Sequence, residues 1–487
     1  MSDAPATDRA TAPATDRATD RAAGQATGQA AALARLRARV RGEVLVPGDD
    51  GFDAGCAGFQ TAYRHRPAVL VRAAAAEDVV AAVAHAAEGG LPVAVQATGH
   101  GLSVPADGGV LIDTAALAAV TVDAAARTAR IGAGARFAAV VDAGARYGLA
   151  PLNGSAPDVG AVGYLLGGGL GLLARQFGYA ADHVRTVHLV TADATERRVT
   201  AESDPELFWA LRGAGANFGV VTAMEIDLLP VTRIYGGELV FDLGDTPDLL
   251  AEYLRWTGAL PEELTSSVSL VGYPDLPVLP ERLRGRHLGH VRIAYTGDAR
   301  TGEELVAPLR ALGPRLTDTV AEMPYTECGA IYNDPPQPHA YVGDNVFLRE
   351  LDAEQAAVVT ELAAPGASVP CVVDVRHLGG ALGRAPEVPN AVGHRDARYL
   401  LRVLTPVGLA EPDEIRAAHR ALLGAADAVL GRCQNLVYGR YADGEAERPA
   451  DDFWEPADHR RLAGLKARLD PANLFRLNRN IAPAQSK

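Results

Sequence analysis

Residues 68–101 read "AVLVRAAAAEDVVAAVAHAAEGGLPVAVQATGHG", and this stretch limits the possible folds more than any other part of the chain. "AVLVRA" (68–73) is short, apolar and partly β-branched, as a buried strand is. "AEDVVAAVAHAAEGG" then puts Val79, Val83 and Ala87 at helical spacing and closes on Gly89-Gly90. "VAVQ" (93–96) is a second strand, so the stretch is a strand–helix–strand unit whose last strand delivers Gly99-His100-Gly101 at its carboxyl end. Glycine on both sides of His100 lets something large and flat approach the main chain. A turn histidine facing water is the better reading of an isolated Gly-His-Gly, so the rest of the chain has to decide.

Short strands follow in "GVLIDT", "AVTVD" and "TARIGAG", then a helix from about Phe137 to Tyr147 with Gly148 beyond it. "HVRTVHLVTADATERRVT" reads as a hairpin around Asp193-Ala194, and "DPELFWALRGAGANFGVVTAMEIDLLP" as a short helix, a glycine-rich loop and a strand. Composition shifts after Pro230, where helices such as "PDEIRAAHRALLGAADAVL" alternate with strands such as "CVVDVRHLGG". With 487 residues, 48% of them hydrophobic, two domains are expected. Residues 1–31 repeat Ala-Thr-Asp-Arg with almost no large apolar side chain and predict a disordered tail. The tail has no signal-peptide core, no run is long enough to span a bilayer, and a cytoplasmic location is expected. A net charge of −14 argues against nucleic acid as a partner. Cys56, Cys328, Cys371 and Cys433 are scattered, with neither disulfide nor metal spacing.

"GSAPDVGAVGYLLGGGLGLLARQFG" (154–178) is the densest glycine region. A nicotinamide-dinucleotide fingerprint fails there on three counts. Gly167, Gly169 and Gly171 are spaced G-x-G-x-G, no apolar strand leads in, and the downstream Asp193 lies in a hairpin turn. Tight helix packing explains the glycines of 167–171 but not a second bare loop, "RGAGANFGVVT" (212–222). Several bare backbone segments converging in one domain suit a pyrophosphate held by main-chain N–H groups.

With "PAVLVRAAAAEDVVAAV", "VAVQATGHG", "GVLIDT", "VGAVGYLLGGGLGLLARQFG", "LFWALRGAGANFGVVT" and "LDPANLFRLNRNIAP" in this order, the chain resembles the FAD-linked oxidases of the vanillyl-alcohol-oxidase type. The nearest branch is that of berberine bridge enzyme, and the likeness runs from roughly residue 40 to 485. It implies an α+β fold with a PCMH-type FAD-binding domain over 32–232, a substrate domain of antiparallel sheet and helices over 233–430, and a segment 431–487 that completes the first domain. It implies an FAD-dependent oxidase taking hydride from an alcohol or activated C–H of a small natural-product-like substrate, with O2 as acceptor. A flavin dehydrogenase, an internal oxygenase of the same family and a flavin-carrying protein without catalysis are the alternatives. Either a monomer or a homodimer is compatible, without nucleic acid, membrane or metal.

For the site, the resemblance implies that Gln96, Ala97, Thr98, Gly99, His100, Gly101 and Ser103 line the flavin, with His100 bonded to its 8-methyl carbon. Ala156, Pro157, Val159 and Gly160 form a second cofactor segment, continued by Gly163, Tyr164, Gly167, Gly168, Gly169 and Gly171. Gly219, Val220 and Val221 add main chain, and Tyr438, Tyr441, Asn478 and Asn480 come from the C-terminal segment. Doubly linked relatives carry cysteine where this chain has Ala156, so no cysteinyl bond is expected. Gln96 stands where an arginine is usual. Val159 occupies the position that gates oxygen. Tyr441 in "YGRYAD" matches the family's substrate-facing tyrosine, with Arg440 in place of the usual asparagine. In "VDVRHLGG" alternation puts Asp374 and Arg376 on one face and Val375 and His377 on the other, so either Arg376 or His377 can serve the site. Buried ion pairing is an equal reading of Arg376.

Overall fold

The computed structural model describes residues 28–485 apart from 63, 102, 103, 278 and 440–449. Most of the expected tail, and Ser103, Arg440 and Tyr441 of the expected site, lie outside the described residues. Residues 28–31, assigned above to a disordered tail, instead begin a helix over 28–39 that carries the buried Leu36 onto the first sheet.

Among the described residues the strands form three sheets. In the first, β1 (Glu43–Leu45) is antiparallel to β2 (Val69–Arg72), and β3 (Val93–Gln96) and β4 (Val110–Asp113) complete the order β1-β2-β4-β3. The helix Ala76–Gly89 connects β2 to β3, as its apolar spacing requires, and buries Val79 and Val83. β4 inserts between the two, parallel to both. Three adjacent parallel strands therefore end at one edge, where β3 releases the loop that carries His100.

The second sheet is antiparallel, with β5 (Val120–Asp123), β6 (Thr128–Gly132), β7 (Val184–Val190), β8 (Glu196–Val199) and β9 (Val220–Asp227) in the order β5-β6-β9-β7-β8. The hairpin read around Asp193-Ala194 joins β7 to β8, with Ala194 left-handed at φ 56°. The third sheet holds the chain after Pro230: β10 (Arg233–Asp242), β11 (Leu264–Gly272), β12 (His287–Tyr295), β13 (Arg315–Asp318), β14 (Ala321–Pro324), β15 (Tyr341–Leu348), β16 (Val372–His377), β17 (Tyr399–Pro406) and β18 (Val429–Gly431). Its order is β13-β10-β12-β11-β16-β17-β15-β18, with β14 also on β10, and every pair is antiparallel. Amphipathic helices Leu249–Thr257, Ala299–Arg310, Ala353–Leu362 and Pro412–Leu423 pack on one face of this sheet around a core of Val268, Leu270, Val291 and Val373. No helix among the described residues is long and apolar enough to cross a membrane.

After β18 the chain returns to the first two sheets. Leu474 O accepts from Val93 N (2.9 Å), and Leu474 and Phe475 join the core under the first sheet. The return is pinned by a buried pair, Lys466 Nζ to Asp470 Oδ2 at 2.8 Å. Lys466 also donates to Asn217 O (2.6 Å) and Phe475 O (3.0 Å), while Asp470 accepts from the N–H groups of Leu474 and Phe475. Both charges are thus fully hydrogen-bonded, which is what makes their burial tolerable.

Removing one charge strands the other in a dry environment. Lys466→Met should lower stability by about 3–5 kcal/mol, read from the midpoint of denaturant unfolding. An unchanged midpoint would mean that the C-terminal return is held by its apolar contacts alone.

Candidate functional site

β3 ends at Gln96, whose side chain faces protein. Its Nε2 donates to Ala57 O (3.0 Å) and its Oε1 lies 3.2 Å from His65 Nε2. Both ends of its amide are thus engaged by protein. Gly99 is required by protein packing on one side. It is left-handed (φ 72°), and a Cβ there would lie 2.6 Å from Gly58 Cα and 3.1 Å from Phe59 N. The strand-like pairing Phe59 N to Thr98 O and Gln60 N to Gly99 O brings that backbone in. At Gly101, by contrast, a Cβ would meet nothing within 4 Å.

His100 is fixed from three sides. Its Nδ1 is 2.8 Å from Thr98 Oγ1, its ring stacks on Phe59 (centroids 3.9 Å apart, 13° between planes), and its carbonyl accepts from Tyr341 Oη (2.9 Å). Burial, with Arg136 nearby, pushes the imidazole down to about 4, so it is neutral at physiological pH. The tautomer with the proton on Nδ1, donating to Thr98 Oγ1, leaves the lone pair on Nε2. No hydrogen-bond partner for that nitrogen stands among the described residues.

The second loop meets the first at Thr98. Gly160 N donates to Thr98 Oγ1 (3.3 Å), and a Cβ on Gly160 would touch that oxygen at 3.4 Å and Ala97 Cβ at 3.6 Å. Pro157 O and Val159 O accept from Ala138 N (2.8 Å) and Phe137 N (3.1 Å), which fixes the loop on the first turn of the helix Phe137–Ala145. Ala156 and Val159 are half-buried beside the His100 loop. Gly163, on the short helix Ala161–Leu166, faces open space. Beyond it the reading changes. A Cβ on Gly167 would meet Asn435 Nδ2 at 2.8 Å, on Gly168 Val392 at 3.2 Å, on Gly169 the Tyr164 ring at 2.6 Å, and on Gly171 Asn153 O at 2.5 Å. At these four positions protein packing alone already calls for glycine. The Tyr164 ring fills that space edge-on to Phe137, its buried hydroxyl without a partner among the described residues.

A third segment is the start of β9. Val220 and Val221 pair with Val190 and Leu189 of β7, whereas β6 leaves β9 at Gly132↔Ala223. The main chain of Val220 and Val221 thus has a strand partner on one side only, and Gly219 lies just before the strand. Nearby, Asn478 Nδ2 donates to Ala216 O (3.0 Å) and Phe475 O (3.1 Å), yet Asn478 Oδ1 is buried without a donor, as is Asn480 Oδ1. Unsatisfied acceptors cost about 1–3 kcal/mol each unless a ligand supplies N–H or O–H. FAD carries such donors on its ring, ribityl chain and adenine, so these residues fit it. No metal-binding cluster occurs among the described residues.

The third sheet supplies the opposite wall. Asp374 and Arg376 share one face of β16. The fully buried Asp374 carboxylate takes Arg376 Nε (2.9 Å), Arg402 Nη2 (3.3 Å) and Ser269 Oγ (3.1 Å), and the two guanidiniums hold it down to about 2 despite its burial. Arg292 and Arg376 lie over the Tyr332 ring at 4.7 and 5.6 Å. His377 is on the other face and accepts at Nε2 from Arg175 Nη1 (2.8 Å); burial and that arginine push it down to about 3. With Arg175 donating to Nε2, the His377 lone pair is already engaged, which favours Tyr441 over His377 as the base. Tyr438 exchanges backbone hydrogen bonds with Gly343 and sets its ring edge-on to Tyr341 (5.3 Å), the residue that caps His100. Phe59, Arg292, Tyr332 and Tyr341 were not foreseen. Arg292 carried a signal, a lone cation inside the apolar strand "HVRIAY"; the other three carried none.

The family model for the FAD binding domain matches residues 67–200, and that for berberine and berberine-like proteins matches 438–482. (R)-6-hydroxynicotine oxidase of Paenarthrobacter nicotinovorans is 30% identical over 479 residues, 92% of this chain and 98% of that protein. An FAD-linked oxidoreductase of Dictyostelium discoideum is 26% identical over 86% of this chain and 90% of its own. The crystal structure of 6-hydroxy-D-nicotine oxidase from Arthrobacter nicotinovorans superposes with a TM-score of 0.79 at 28% identity, over 91% of this chain and 98% of that one. Chitooligosaccharide oxidase, at 20% identity and a TM-score of 0.79 over 93% and 99%, shares the fold. The loops that meet at Thr98 and the returning C-terminal segment are therefore parts of an FAD-binding framework, and the chain belongs to the berberine-bridge-enzyme-like family of FAD-linked oxidoreductases.

Proposed function

We propose that the protein is an oxidase that holds FAD through one covalent bond from His100, oxidises a small organic substrate at an alcohol or activated C–H, and uses O2 as acceptor. The observation that carries this reading is His100 itself, neutral, clamped at Nδ1 and open at Nε2, where the two cofactor loops meet. Bound FAD supplies a two-electron acceptor for hydride and a carrier of electrons to O2. His100 Nε2 provides the lone pair for the link to the 8-methyl carbon. Ala156 offers no thiol for a second link, and burial raises the thiols of Cys56, Cys328, Cys371 and Cys433, keeping them protonated. Val159, half-buried on its anchored loop, sets the width of the oxygen approach. Tyr441, three residues beyond Tyr438 in the sequence, takes the substrate proton. The oxidase named as a 30% identical relative supports O2 as acceptor.

Apoprotein mixed with FAD should become acid-stably yellow in the wild type and stay colourless after acid precipitation in His100→Ala. The rate of attachment should be flat from pH 8 to about 5 and fall by half near pH 4, because protonation removes the lone pair. A midpoint near the ordinary histidine value of about 6.5 would show that burial does not set this imidazole.

Stopped-flow mixing of the reduced enzyme with oxygen should show Val159→Leu reoxidising at least about tenfold more slowly, a barrier change of about 1.4 kcal/mol, with flavin reduction unaffected. Slow reoxidation already in the wild type would instead identify a dehydrogenase.

Tyr441→Phe removes only a hydroxyl and should keep covalent flavin. Anaerobic flavin reduction by substrate should slow by about two to four orders of magnitude, with reoxidation unchanged. Reduction at the wild-type rate would place the base elsewhere.

A further inference from the structure

Resting on the oxidase reading, we infer that the substrate carries a carboxylate, bound by Arg376 and Arg292 at one end of a largely apolar cleft. A narrow cleft, partly open to solvent, lies between residues 170–174, strands β11 and β12, and the end of β16. Leu170, Leu172, Ile293, Ile331, Leu378 and Leu382 make much of its wall apolar, with Thr265, Ser266 and His377 also lining it. Two guanidiniums enter it, those of Arg292 and Arg376, and both side chains are largely buried, 13% and 11% exposed.

An arginine in an apolar wall has to be neutralised or to serve a ligand. Around these two the count is uneven. Arg376 commits Nε to Asp374 (2.9 Å), and Asp374 is shared with Arg402 (3.3 Å). Arg292 donates from Nη1 to the neutral Ser269 Oγ (2.6 Å), and its nearest carboxylate, Glu238, is 3.8 Å away and also serves His290. Three guanidiniums therefore face two carboxylates, which leaves one positive charge. Arg292 Nε is buried without an acceptor, and no hydrogen bond from either Nη of Arg376 is formed within the described residues.

The two cations are also rigid. Both lie over the ring of Tyr332, whose hydroxyl is held by Ser267 Oγ (2.7 Å), so the fork is preorganised before a ligand arrives. A planar guanidinium with its outer N–H groups free matches the two oxygens of a carboxylate. The apolar walls match a hydrocarbon or aromatic body behind it. The cleft thus selects for an amphipathic acid.

The test is binding to the flavin-loaded enzyme, with 1-naphthoate and the isosteric neutral 1-naphthamide as probes and calorimetry as readout. Naphthoate should bind about 10- to 100-fold more tightly than naphthamide. Arg376→Gln should abolish that preference, and Arg376→Lys should restore only part of it, because a point charge lacks the fork. Arg292→Gln, which leaves the Asp374 pair intact, should reduce the preference and guards against a misfolded Arg376 variant. Failure of naphthoate to outbind naphthamide, whether both bind or neither does, overturns the inference, as does an unchanged preference in both glutamine variants. Covalent flavin in the same samples is scored separately. Acid-stable yellow protein without carboxylate preference rejects this inference and keeps the oxidase reading, whereas colourless precipitate rejects the covalent reading.

Discussion

One hydroxyl joins the parts of this molecule that make its chemistry. Thr98 Oγ1 takes the backbone N–H of Gly160 and the Nδ1 of His100, so the loop leaving the parallel sheet and the loop leading into the helix Ala161–Leu166 are registered by one atom. The third sheet adds Tyr341, whose hydroxyl caps the His100 carbonyl, and Tyr341 in turn packs on Tyr438. A single such hydrogen bond is worth only about 0.5–1.5 kcal/mol. Its consequence is positional: the imidazole points one nitrogen into the protein and the other out of it.

Burial acts on three groups around this centre, and partners decide the sign of its effect. His100 has a hydroxyl beside it and no carboxylate in contact, so burial leaves it neutral and nucleophilic. His377 is buried as well, but an arginine occupies its lone pair, so its neutrality makes it inert. Asp374 is the most deeply buried of the three and remains ionised because two guanidiniums and a serine hydroxyl surround it. Two neutral imidazoles of similar basicity thus have opposite chemical value, and hydrogen-bond geometry alone separates them.

Local periodicity and loop chemistry made much of the frame readable. The strand–helix–strand unit ending at His100, the hairpin at Asp193-Ala194 and the change of architecture after Pro230 all follow from short-range pattern. The insertion of β4 between β2 and β3 did not, because strand order is a long-range choice. What glycines 167–171 accommodate was not legible for the same reason in two cases, Asn435 and Val392, which come from far along the chain, while Asn153 and the Tyr164 ring are near. Gln96 answers to Ala57 and His65, 39 and 31 residues before it. Strand alternation separated Arg376 from His377, but only the positions of Arg175 and Tyr332 show what each side chain is engaged with. The first helix defeated composition, since an alanine-rich segment reads as featureless until Leu36 finds the sheet.

The account turns on His100 as the sole covalent anchor. Proteolysis of the purified protein followed by mass mapping of every flavin-bearing peptide addresses that directly. The geometry predicts one modified peptide, containing residues 93–101, with the added mass on His100 and unmodified peptides for all four cysteines. Flavin recovered free, or attached to a cysteine peptide, would contradict the assignment of the open Nε2 and with it the role given to the Thr98 junction.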